Sequence, residues 1–100
     1  MNTPQEEWKE VTVSKMKYFV SCLGNVKNTN SKMIKQYKHH DGHIMVHLGW
    51  SNDNMNYNAV KLARLVADTF IPKPNTLKQL RVVHINDDKT DNRVCYLRWR

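Results

Sequence analysis

One hundred residues carry 16 Lys and Arg against nine Asp and Glu, a formal net charge of +7 and a sequence pI near 9.6. A chain of this length closes around one modest core, so a single domain over residues 1–100 is expected. No run approaches the roughly 18 apolar residues of a membrane span, and no apolar signal segment follows Met1, so a protein of the host cytoplasm with no membrane partner is expected.

In chain order, the residues before Trp8 are polar and read as frayed. Residues 17–23 favour a strand through Tyr18, Phe19 and Val20. Gly24 and Asn25 then supply turn chemistry, and Val26 and Lys27 start a returning strand. Residues 28–38 are lysine-rich and polar, and read as an exposed arm. Past the Asp41-Gly42 turn comes the clearest strand. Ile44, Val46, Leu48 and Trp50 fall on one face, and His43, Met45, His47 and Gly49 on the other. After a polar turn over 51–56, Asn56 or Asn58 can cap a helix from about residue 59 to 70, within a helical segment 57–71. Leu62, Leu65, Val66, Thr69 and Phe70 form its apolar stripe, Pro72 ends it, and Pro74 prevents a restart. Residues 81–85 and 93–99 read as two short strands joined by a polar loop over 86–92. The expected fold class is α+β, with short antiparallel strands and one main helix, and Trp8, Trp50 and Trp99 as core anchors.

Charge is distributed unevenly. Seven lysines and one acid, Glu10, lie between Lys9 and Lys38, whereas acids gather at Asp87, Asp88 and Asp91. Excess positive charge on a small domain attracts polyanions by releasing their counterions, so duplex DNA is the expected partner. An acidic protein surface is the alternative. The residues expected to contact phosphates are Lys15, Lys17, Lys27, Lys32, Lys35 and Lys38, with Arg64, Arg93 and Arg98 in support. Cys22 and Cys95 stand in no zinc spacing and read as reduced, partly buried thiols. His39-His40-x-x-His43 sits on a turn and reads as solvent-exposed. The three aspartates of the 86–92 loop read as a solvated acidic turn.

Four pieces of the chain carry a family likeness. Trp8-Lys9, Tyr18-Phe19-Val20-Ser21 and Leu23-Gly24-Asn25-Val26-Lys27 resemble the nuclease-associated modular motif at the start of phage and intron-encoded HNH homing endonucleases. Asp41-Gly42 with Val46 and Leu48 is similar to the family's Asp-Gly-Tyr strand, with His43 in place of tyrosine. Residues 64–74, Arg64-Leu65-Val66-Ala67-Asp68-Thr69-Phe70-Ile71-Pro72-Lys73-Pro74, look like the family helix. Residues 83–94, followed by Leu97 and Trp99, resemble the first half of the HNH motif. The resemblance assigns residues 8–50 to DNA-binding-motif strands and 81–99 to a partial HNH hairpin, the ββ part of a ββα-metal motif.

In that family a strand histidine acts as general base and one divalent metal stabilises the developing charge. The resemblance places His84 at the base position. It also implies losses. Val83 stands where an Asp or Asn ligand precedes the histidine, Ala63 replaces a helix histidine, and Tyr96 replaces the asparagine of Asn-Leu-x-Trp. The ligand-bearing helix is expected only beyond Trp99, and the chain ends at Arg100. No metal site and no cofactor are therefore expected, with Mg2+ or Mn2+ required if nuclease activity is retained. The expectation is a DNA-binding protein derived from an HNH endonuclease, with His84 a vestigial general base. The alternatives are a metal-dependent endonuclease or nickase completed by another chain, and an inhibitor module built on a nuclease scaffold.

Overall fold

The computed structural model describes residues 5–51, 56–74 and 81–100. It is α+β, as expected, with three small antiparallel sheets and, among the described residues, one α-helix. The first sheet runs β1 (Trp8–Val13), β2 (Met16–Ser21) and β3 (Val26–Asn28), in that order. The second runs β4 (Gln36–Lys38), β5 (Ile44–Ser51) and β6 (Asn56–Lys61). Helix α1 (Leu62–Phe70) follows, and then β7 (Val82–His84) pairs with β8 (Leu97–Trp99).

The core forms where the apolar faces of these elements meet. Tyr18 and Val20 of β2 and Val46 and Leu48 of β5 are buried on the period of two that a strand imposes. Leu62, Leu65 and Val66 are buried from α1, joined by Ala63 and Ala67. Val26 and Leu97 complete the cluster, with Ile44 and Phe70 packed at its margin. Trp99 is buried, and its indole N–H donates to the Ile71 carbonyl at 2.9 Å, tying the last strand to the helix end.

Several boundaries differ from the sequence expectation. The helix starts at Leu62, because residues 56–61 pair with β5 as a strand. Tyr57, Ala59 and Lys61 are exposed while Asn58 and Val60 are half-buried, an alternation with the strand period. Asn58 caps nothing; its amide donates to the Gly49 carbonyl and the Ser14 hydroxyl, both at 2.9 Å. At the other end Ile71 takes extended angles, as a residue before proline does. The 28–38 arm is partly structured, since Gln36, Tyr37 and Lys38 pair with Val46, Met45 and Ile44. Residues 93–99 divide into a 3-10 turn (Val94–Tyr96) and β8. Of the polar turn expected over 51–56, residues 52–55 lie outside the described residues.

Trp50 is 42% exposed and is no core anchor. The register shifts between Leu48 and Trp50, where Gly49 adds a residue to β5 and turns the following side chain outward. Gly49 has φ +66°, and a Cβ there would stand 2.6 Å from the Val13 carbonyl oxygen, so the bulge requires glycine. Cys95 is exposed and Cys22 half-buried, which corrects the expectation for Cys95.

Candidate active site

His84 ends β7 opposite Leu97 of β8. Its Nε2 lies 2.9 Å from Oδ1 of Asn92, a side chain only 4% exposed. A carboxamide oxygen only accepts, so as the amide is oriented Nε2 carries a proton, and in the neutral ring Nδ1 holds the lone pair. The other half of that amide, Nδ2 of Asn92, is buried without a hydrogen-bond partner.

Asn92 is placed from far away in the sequence. A Cβ on Gly24 would lie 3.0 Å from the Asn92 carbonyl oxygen, so the β2–β3 turn packs directly on the Asn92 backbone. Gly24 itself has φ +85°, and the Val94 N–H donates to the Cys22 carbonyl at 2.9 Å. The Leu23-Gly24-Asn25 segment therefore buttresses the loop that holds His84. Residues from the two ends of the chain build one site.

An open cavity of about 410 Å³ lies beside His84 and is lined by Lys89, Arg98 and Arg100 and by the carboxylate of Asp87, with Val83 in its wall. The antiparallel register sets Arg98 across from Val83, and the backbones of Arg81 and Arg100 exchange both hydrogen bonds. Lys89 also donates to the Asp41 carbonyl at 2.9 Å, bringing the 41–43 turn against this loop. The His43 and His84 ring centroids are 6.0 Å apart. Burial, reinforced by the positive charge of Lys61, holds His43 below the ordinary imidazole range. His43 is half-buried, unlike the exposed turn residue expected. A second groove of about 630 Å³ is lined by His43, Lys61, Arg64, Arg81 and Val82.

Among the described residues, the donors around His84 do not fit a divalent metal, for Asp87 is the one acidic side chain that lines its cavity. Val83, immediately before His84, has no donor atom. Asp91 is held by Arg93 through Nε at 2.8 Å and Nη2 at 2.7 Å, and accepts from the Asn86 amide at 3.0 Å. The Arg93 hydrogen bonds bring the Asp91 carboxyl down to about 2. Asp88 accepts from the Thr90 hydroxyl and from the Thr90 N–H, which lower its pKa as well. Among the described residues, no three of His, Cys, Asp and Glu converge as a metal would require.

Of the residues expected to contact phosphates, only Arg98 reaches the His84 cavity. Lys15, Lys17, Lys32, Lys35 and Lys38 are exposed on the N-terminal strands and turns. Lys17 lies 3.7 Å from Glu10. Lys27 is half-buried, with its ammonium 4.1 Å from the centre of the Trp8 ring. Arg64 pairs with Asp68 at 3.2 Å and covers Trp99, and Arg93 is committed to Asp91 and to the face of Tyr96. Sequence reasoning missed Asn92, Lys89 and Arg100. Strand alternation from Arg98 could have supplied Arg100, and the 83–94 run that resembles the HNH motif contains Asn92 without showing its bond to His84.

Comparison with known proteins decides the family. The chain is 36% identical over 100 residues to an uncharacterised HNH endonuclease of Acanthamoeba polyphaga mimivirus, covering 99% of this chain and 25% of that protein. The HNH homing endonuclease I-HmuI, solved in a study of DNA binding and cleavage, superimposes with a TM-score of 0.75 and 28% identity. That match covers 94% of this chain and 52% of I-HmuI. The chain belongs to the HNH homing endonuclease-like family. No family model matches it. The family chain described here spans about a quarter of its curated relative and about half of the solved one. No helix among its described residues is long and apolar enough to cross a membrane.

Proposed function

We propose that this HNH-like chain binds duplex DNA and, with its own residues alone, cuts it little or not at all. The observation that carries the reading is the company His84 keeps. Three cations and a single carboxylate, Asp87, line its cavity, and among the described residues no metal-binding set surrounds it. Lys89, Arg98 and Arg100 supply the charge that receives a phosphodiester. The exposed Lys15, Lys17, Lys32, Lys35 and Lys38 extend the cationic surface across the N-terminal half, while Lys27 lies over Trp8 and Arg64 and Arg93 are paired with Asp68 and Asp91. In this family a divalent metal stabilises the departing oxygen, so a general base without that metal accelerates cleavage weakly.

The test is incubation of supercoiled plasmid with the purified chain, with Mg2+ or Mn2+ and without either. The reading expects retained DNA binding and no nicking above the His84→Ala variant. Robust metal-dependent nicking that His84→Ala abolishes would overturn it.

A second reading is favoured by one observation: Asn92 still fixes the His84 ring with Nδ1 available to take a proton. Under that reading, further residues from another segment or chain supply the metal ligands, and the complete assembly is an Mg2+- or Mn2+-dependent nickase. Val83→Asp alone does not create activity under the first reading, because a single added carboxylate leaves the metal short of donors.

A further inference from the structure

We propose that the outer face of the β4–β5–β6 sheet is a stacking platform for unpaired bases of single-stranded DNA. The inference rests on the DNA-binding reading above and adds to it a second surface, separate from the His84 cavity.

Register places the residues. Tyr37, Met45 and Lys61 form one cross-strand row, His47 and Ala59 the next, and Trp50 and Tyr57 the last. Val46 and Leu48 point the other way and are fully buried, so these rows share the face turned from the core. Trp50 and Tyr57 are 42% and 44% exposed, and His47 is exposed. The aromatic rings pair with each other. Trp50 and Tyr57 meet edge to face at 5.2 Å, Tyr37 and His47 do so at 4.6 Å, and the Tyr37 hydroxyl bonds His47 Nε2. Ala59, small and exposed opposite His47, leaves the space between the two pairs open. At about 3.3 Å per strand residue, the first and last rows lie roughly 13 Å apart, room for more than one base.

Charge selects the occupant. The strands β4, β5 and β6 contain no acidic residue. Lys61 flanks the Tyr37 end. Lys15 flanks the Trp50 end, since its neighbours Ser14 and Met16 bond Asn58 and the Trp50 N–H respectively. A second copy of this chain would set like charges together, with each molecule carrying +7. A polyanion gains from both lysines. Duplex bases hide their faces from such a surface, whereas unpaired bases offer a ring face to each aromatic side chain.

The experiment measures anisotropy of a labelled thymidine oligonucleotide of about 20 nucleotides and of a duplex of equal length, against wild type, Trp50→Ala, Tyr57→Ala and Trp50→Phe. Both ring positions are exposed, and thermal melting followed by circular dichroism checks that each variant folds. The proposal expects wild type to bind the single strand, and each alanine variant to lose roughly 5- to 150-fold per stacked base. Duplex affinity should stay within about twofold, and Trp50→Phe should keep single-strand binding. Duplex binding without single-strand binding overturns this proposal alone. Binding of neither overturns the DNA reading with it. Unchanged single-strand affinity in both alanine variants, or a dimer that Trp50→Ala dissociates, would show that the face has another use.

Discussion

A single buried amide fixes the His84 ring, and its removal has a spectroscopic consequence. With Asn92→Ala the ring loses the acceptor at Nε2, so its two neutral tautomers should interchange. Ring nitrogen shifts of His84 should report one tautomer in the parent chain and an average of both in the variant. An unchanged spectrum would mean that Asn92 does not orient the ring. Leu65 makes a second case. Its side chain is buried in the cluster formed by β2, β5 and α1, so Leu65→Ala should cost about 2–5 kcal/mol in urea denaturation. A loss below about 0.5 kcal/mol would remove Leu65 from the core. The histidine was legible in the sequence because the residues around it form a recognisable run. Asn92 lies in the same run, but its bond to His84 was not legible, because its placement depends on Gly24 packing against it across most of the chain.

At the scale of elements, turns and bulges decide more than propensity. The β1–β2 hairpin closes through Ser14 and Lys15, with φ of 48° and 68°. Glycine and asparagine normally mark such a turn, so neither the turn nor β1 was visible in advance. The β5 alternation and the stop at Pro72 were visible, because local sterics and periodicity set both. The helix start was not, since pairing with β5 overrode the capping signals of Asn56 and Asn58. Gly49→Ala tests the bulge directly. The added methyl would press on the Val13 carbonyl at positive φ, and should cost about 1–3 kcal/mol by thermal denaturation. A neutral substitution would contradict the bulge. The loop of residues 86–92 has a pH signature. The Asp91 pKa is about 2, below its unfolded value of about 3.9. Its contribution to stability is therefore complete above the unfolded value and is lost as pH falls through about 2. Amide resonances of Asn86 and Arg93 should titrate with that midpoint, and Asp91→Asn should abolish the transition. A midpoint near 4 would mean that the Arg93 pair does not form in solution.

For the whole molecule, the fold joins two kinds of surface. The C-terminal hairpin brings His84, Lys89, Arg98 and Arg100 around one cavity, and the N-terminal strands and turns spread lysines over the opposite part of the sequence. The excess of lysine in residues 9–38 was legible from composition. Its division between exposed side chains and Lys27, which lies over Trp8, was not. The most direct test of phosphate binding is the affinity for a duplex measured across a salt series, in the parent chain and in a variant with Lys27, Lys32 and Lys35 all replaced by Ala. The parent should bind with a steep negative slope of log affinity against log salt. Each lost phosphate contact should flatten that slope by about 0.9, and weaken binding at every salt concentration. A parent chain that fails to bind duplex DNA, or a triple variant with unchanged affinity and slope, would contradict the account.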